Sequence, residues 1–137
     1  MSITIYTDGG SRGNPGPSGA GAAIFRGDTE IGHVSKYLGK QTNNWAEYEA
    51  LILALDTTHK LAGSPVNVPV TVKMDSELIV KQMKGEYRVK DPELKKQHQK
   101  VKDLIAESFP HISFVHVRRE FNKRADELAN DAMDRGV

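Results

Sequence analysis

The sequence predicts an α/β fold, a mixed five-stranded sheet with helices packed on it in the order β-β-β-α-β-α-α-β-α. Three observations carry this. Apolar residues alternate at period two over residues 2 to 8, two more strand-like stretches follow, and the period switches to helical in "TNNWAEYEALILALDTTHKLAG". After that switch, strand-like stretches are separated by helices. Consecutive alternating stretches joined by short turns favour antiparallel pairing, and strands separated by helices favour parallel pairing, so the sheet is mixed.

Each element has its own signal. "SITIYTD" alternates up to Asp8, where a strand is expected to end before Gly9 and Gly10. "GAGAAIFRG" and "TEIGHVSKYLG" read as two further strands joined around Gly27 and Asp28, which makes a three-strand meander. The long helix places Tyr48, Leu51, Ile52 and Leu55 on one face, with a cap expected from Asn43 or Asn44 and closure at Gly63 and Pro65. In "VNVPVTVKMD" the residues Val66, Val68, Val70, Val72 and Met74 recur at period two, so a strand ending at Asp75 is expected, with Pro69 at an edge or bulge. "SELIVKQMKG" reads as a short helix stopped by Gly85. "DPELKKQHQKVKDLIAESF" is a helix capped by Asp91, with Pro92 in its first position and Pro110 beyond its end. "HISFVHV" is the last strand. "NKRADELANDAMDR" is the last helix, burying Ala125, Leu128, Ala129 and Ala132.

Composition bounds the function. With 137 residues, 38% hydrophobic and 27% charged, the chain fits one ordinary globular domain, and no apolar run approaches the roughly 18 residues of a membrane span. "MSITIY" lacks the pattern of a secretory signal, so a cytoplasmic protein is expected. Without cysteine there is no disulfide or thiolate site, and the five histidines show no zinc-ligand spacing, so a metal site would be built from oxygen. The net charge is only +1, but Lys81 to Lys102 carries eight basic residues against three acidic ones.

The element order also directs the acids. If the first strand runs up, the meander leaves the long helix starting at the upper edge, and the strand ending at Asp75 runs up again. Asp8, Asp75, a carboxylate in the first turns of the long helix, and Asp126 in the opening turns of the last helix then meet at the carboxyl edge, where ligands of open α/β sheets bind. Helical periodicity does not choose between Glu47 and Glu49. Singly, Asp8 suits an Asx turn, Asp75 a helix cap, and Glu47 and Asp126 the helix dipole. Those separate roles do not account for convergence. Clustered carboxylates raise one another's pKa, a repulsion that hard cations such as magnesium resolve with oxygen ligands.

The blocks "YTDGGSRGNPGPSGAG", "TNNWAEYEAL", "KMDSELIV" and "FNKRADELAN" resemble ribonuclease H of type 1 over Ile3 to about Met133, and in particular its compact branch without a hybrid-binding domain or a long basic handle. The resemblance implies a ribonuclease H-like fold and an endonuclease that cuts the RNA strand of RNA/DNA hybrids, leaving 5'-phosphate and 3'-hydroxyl ends without a covalent enzyme intermediate. It selects Glu47 over Glu49 through the T-N-N-x-x-E pattern. Two Mg2+ ions, with Mn2+ as substitute, are implied on Asp8, Glu47, Asp75 and Asp126, with Asp8 as the bridge. It also implies substrate contacts at Gly9, Ser11, Asn14, Asn43 and Glu77, with Asn44 nearer the DNA strand and Thr42 at a DNA phosphate. A monomer needing no protein partner is expected. Two departures stand out: "VRREFNKRAD" is too short for the loop histidine of many members, so Arg119 is the expected stand-in and His116 is read as structural, and the basic stretch is modest. A hybrid-binding accessory protein and another nuclease of the same architecture, transposase-like or exonucleolytic, are the competing readings.

Overall fold

The computed structural model describes residues 2–137; Met1, the first residue of the single domain read from the sequence, lies outside them. Strands β1 (Ile3–Ser11), β2 (Gly16–Arg26) and β3 (Thr29–Gln41) form the meander. Helix α1 (Asn43–Ala62), strand β4 (Val70–Met74), helices α2 (Glu77–Met83) and α3 (Pro92–Ser108), strand β5 (Ile112–His116) and helix α4 (Lys123–Arg135) follow, with a 3-10 turn over Arg119–Phe121 before α4. The sheet order is β3-β2-β1-β4-β5. β1 pairs antiparallel with β2 and parallel with β4, and β4 pairs parallel with β5, so the sheet is mixed as the sequence predicts.

Alternation decides the two faces. Ile3 and Ile5 of β1, with Val70 and Val72 of β4, pack against Tyr48, Leu51 and Leu55 of α1, and Val101 and Phe109 close the same core. On the opposite face α4 lies against β2. A Cβ on Gly21 would stand 2.2 Å from the Ala125 carbonyl oxygen, so only glycine permits this approach. No helix among the described residues is long and apolar enough to cross a membrane.

Three of the boundaries that differ from the sequence expectation bear on the site. β1 does not end at Asp8: it continues to Ser11, because Gly9 and Gly10 still pair with Ala20 and Gly19 of β2. β4 begins at Val70 instead of Val66. Pro69 has no N–H for a ladder, and Val66 is buried without joining the sheet, its N–H donating to the Ser108 carbonyl at 2.7 Å. The cap of α1 is Thr42, whose hydroxyl accepts from the Trp45 N–H at 3.3 Å; Asn43 and Asn44 lie inside the helix. Asp75 caps nothing, since Ser76 caps α2. Asp91 caps α3 as expected, accepting from the N–H groups of Glu93 and Leu94.

Candidate metal centre and nucleic-acid cleft

The site originates where β4 stops. The last parallel pair joins Thr7 to Met74, so Asp8 and Asp75 are the next residues on their strands, past the end of the ladder. Beyond that point β1 keeps β2 on one side and loses its β4 partner. The edge groups this exposes are taken by side chains: the Gly9 N–H donates to Glu47 Oε1 at 3.3 Å, and the Thr7 carbonyl accepts from the buried Asn122 amide at 2.9 Å. Glu47 therefore enters from the α1 side and satisfies a backbone donor that would otherwise be orphaned.

Asp8, Glu47 and Asp75 each offer an oxygen within 4.8 Å of the others. Asp126 borders the same cleft, just outside this tight group. Arg119 Nη2 stands 3.8 Å from Asp126 Oδ1, on a side chain that is 81% exposed. The structure thus brings all four predicted acids and Arg119 into one open cleft of about 590 Å³, which Gly9, Ser11, Asn43 and Asn44 also line. Asn14 and Thr42 border a neighbouring cavity with Asn44 and Trp45. Glu77 lies outside both and pairs with Lys81 at 2.9 Å.

Crowding and burial push the carboxyls of Asp8, Glu47 and Asp75 upward. Burial, with the Asp75 charge next, raises Asp8 to about 7. Burial raises Glu47 well above the usual carboxylate range, with Asp8 and Asp75 adding to it. Asp75 is raised mainly by burial, while the Arg119 guanidinium draws it back down. Glu47 Oε2 is buried and has no hydrogen-bond partner. A buried carboxylate oxygen without a donor, beside two more acids, suits a hard divalent cation, so the residues fit the implied metal.

Ser11 and Asn14 shape the cleft wall. The Ser11 N–H donates to Asn43 Oδ1 at 2.8 Å, and the Asn43 N–H donates to Asn14 Oδ1 at 3.0 Å. The Ser11 hydroxyl faces the carbonyl oxygens of Gly13, Gly16 and Gln41. These side chains brace the β1–β2 turn against the start of α1.

Arg12, His116, Arg118 and Asn130 are among the cleft-lining residues that sequence reasoning does not place there. His116, read as structural, is the exposed last residue of β5 at the rim. Asn122 was also missed. Its only sequence signal is a polar residue four positions before Asp126, which helix capping explains equally well, yet its side chain makes no capping bond.

A family model described as reverse transcriptase-like matches residues 6–132. Ribonuclease H of Lachnoclostridium phytofermentans is 33% identical over 155 aligned residues, covering 99% of this chain and 94% of its own. The chain belongs to the ribonuclease H family. Bifunctional protein Rv2228c of Mycobacterium tuberculosis is 44% identical over 136 residues, 98% of this chain but 36% of that protein. This chain therefore spans about a third of the first curated relatives it matches. Among solved structures, that of LC11-RNase H1, an enzyme isolated from compost by a metagenomic approach, in complex with an RNA/DNA hybrid superposes with a TM-score of 0.92 at 48% identity, covering 97% of each chain. LC11-RNase H1 thus shares its fold with this chain over nearly the whole length of both.

Proposed function

We propose that residues 1–137 act as one catalytic domain, an endonuclease that hydrolyses the RNA strand of RNA/DNA hybrids with two divalent ions, Mg2+ first and Mn2+ in substitution. The observation that carries this reading is the partnerless Glu47 Oε2 among three acids within 4.8 Å, at the floor of a cleft open enough for a duplex backbone. LC11-RNase H1, the relative solved with RNA/DNA hybrid, supports the substrate class.

Asp8, Glu47, Asp75 and Asp126 would hold the ions, with Asp8 central. When bound, such a pair supplies an activated water in line with the scissile phosphate and neutralises charge at the departing 3'-oxygen. The protein's own groups do the rest. Gly9 and Gly10 leave no side chain between β1 and an approaching backbone. Asn43 and Asn44 present amides at the cleft wall toward a minor groove, where the 2'-hydroxyl distinguishes RNA. Asn14 and Thr42 extend this wall into the adjoining cavity, and Glu77 stands further out. The two serines lining the cleft are engaged, Ser11 by carbonyls and Ser76 by the Ile79 N–H. Attack is therefore assigned to water instead of a serine, without a covalent intermediate, and 5'-phosphate and 3'-hydroxyl ends are part of the proposal. The Lys81–Lys102 stretch adds nonspecific phosphate attraction, so binding weakens as salt rises. The proposal includes a cytosolic monomer, consistent with a cysteine-free chain.

The deciding experiment incubates the protein with an end-labelled hybrid and Mg2+ or Mn2+. Internal cleavage of the RNA strand alone is expected. Binding without fragments under either metal would favour the accessory reading, and preference for all-DNA substrate would favour a different nuclease.

Arg119 is proposed to approach a phosphate oxygen from the solvent side of Asp126. Arg119→Ala is expected to lower kcat by about tenfold, the scale of one charge-assisted contact. Metal binding, followed by calorimetry, should survive. A rate equal to wild type would remove Arg119 from the mechanism.

A further inference from the structure

Asp126, Asn130 and Asp134 lie at successive i, i+4 positions along α4, one stripe facing the end of β1. Arg12, the residue after β1, bridges the last two: Nη1 meets Asp134 Oδ1 at 2.7 Å, and Nη2 lies 3.3 Å from Asn130 Oδ1 and 3.5 Å from the Asn130 carbonyl. The other end of the Asn130 amide donates to Asp126 Oδ1 at 3.2 Å and to the Asp126 carbonyl at 2.9 Å. We infer that Asn130 is a positioning residue for Asp126, oriented by Arg12, and that this clamp sets how Asp126 reaches the metal centre.

The amide can sit only one way round. Reversing it would set its oxygen against the Asp126 carboxylate and its NH2 against the guanidinium, two repulsive contacts in place of two attractive ones. Arg12 therefore fixes which end faces Asp126. The consequence falls on one oxygen: Oδ1 receives Asn130 and has Arg119 nearby, so Oδ2 is left for the cluster. The other acids need no such help. Glu47 is held by the Gly9 N–H, Asp8 lies within β1 and Asp75 directly follows β4, whereas Asp126 stands outside the tight group and depends on its side-chain geometry. Groups that orient a metal-binding side chain without touching the ion commonly govern affinity and rate.

This role rests on the proposed hydrolysis and deepens it, so the test has two independent arms. In the kinetic arm, Asn130→Ala is expected to lower kcat about tenfold and raise the Mg2+ concentration for half-maximal rate several-fold, the range for lost outer partners of metal ligands, with KM for hybrid within about twofold. Arg12→Met should move both quantities the same way by less, and the double variant should be no worse than Asn130→Ala alone, because both act through one contact. A purely structural role would lower the melting temperature and leave the Mg2+ requirement unchanged.

The second arm uses the wild-type side-chain amide signals of Asn130 in 1H–15N spectra, without substrate. Their protons should exchange slowly, and Asp126→Asn and Arg12→Met should each shift them and speed exchange. Unchanged kcat and Mg2+ requirement in a folded Asn130→Ala variant overturn the inference, as do amide signals indifferent to Asp126→Asn. Should Asn130→Ala fail to fold, Arg12→Met and the amide spectrum decide. Should the wild type cleave no hybrid, the proposed activity fails while the spectrum still tests the clamp.

Discussion

Asp8→Asn is expected to abolish hybrid cleavage while making the metal-free protein more stable at neutral pH. The two effects have one origin. Asp8 is half-buried beside Asp75 and Asp126, and its folded pKa near 7 stands far above the 3.8 of a free aspartate. Between pH 4 and 7 the folded state therefore holds a proton that the unfolded state has released, so stability falls as pH rises through that window, and the full deficit persists above it. At about 1.4 kcal/mol per pKa unit the deficit is on the order of 4 kcal/mol. Asparagine carries no charge, and removing it lifts the penalty. In chelator-containing buffer the wild type should melt lower at pH 7.5 than at pH 5, and Asp8→Asn should flatten that dependence and melt several degrees higher at pH 7.5. Mg2+ should raise the wild-type melting temperature at pH 7.5 and do much less for the variant, since a ligand stabilises only the state that binds it. Loss of a central ligand removes several kcal/mol of charge stabilisation, at least roughly 10³-fold in rate. A variant that keeps a tenth of wild-type activity, or that melts lower than wild type without metal, would remove Asp8 from the centre of the site.

Burial-enforced periodicity explains which parts of the molecule its sequence discloses. Element order and sheet direction were legible because Ile3, Ile5, Val70 and Val72 repeat at period two while Tyr48, Leu51 and Leu55 repeat at helical spacing, and burial enforces both patterns. From direction alone, the acids had to meet at one edge. What misled was glycine. "DGG" has the composition of a turn, yet Gly9 and Gly10 continue β1, and at Gly9 the absence of a side chain serves close packing instead of chain reversal. Pro69 misled in the opposite sense: the alternating valines before it look like strand, and only the missing N–H shows why pairing starts at Val70. Thr42 outcompeted Asn43 as cap because Asn43 is committed to Ser11 and Asn14 across the turn. The outer residues were not legible at all. Arg12 and Asn130 are 118 positions apart, and nothing local in either segment marks their contact. Acids at the ends of strands and helices leave a signature in spacing, whereas a contact such as that of Arg12 with Asn130 depends on where two distant backbones settle.

Gly9→Ala is expected to produce the largest stability loss of any single-methyl addition near the site, and to reduce cleavage further than unfolding accounts for. An added Cβ would lie 2.2 Å from the Ala46 carbonyl oxygen, 2.3 Å from its carbon and 2.5 Å from the Glu47 nitrogen, all backbone atoms of the first turns of α1. No rotamer change relieves a clash with backbone, so either β1 or α1 must move. Overpacking of this kind costs typically 1–3 kcal/mol and sometimes more, and a backbone obstacle places it at the upper end. The movement also has a direction. Gly9 N–H holds Glu47 Oε1, and α1 carries Glu47 in its first turns, so pushing the helix away from β1 draws this carboxylate out of the three-acid group. Urea denaturation should report the stability loss, and kcat measured well below the transition, corrected for folded fraction, should still fall by about tenfold or more, the scale of a misplaced catalytic group. Gly10→Ala is the internal control: its Cβ would meet only the Met133 methyl, at 3.9 Å, so it should leave stability nearly unchanged. Equal stability losses at the two positions would mean that the approach of α1 to β1 does not depend on Gly9, and with it would go the claim that this glycine sets the height of Glu47 over the sheet edge.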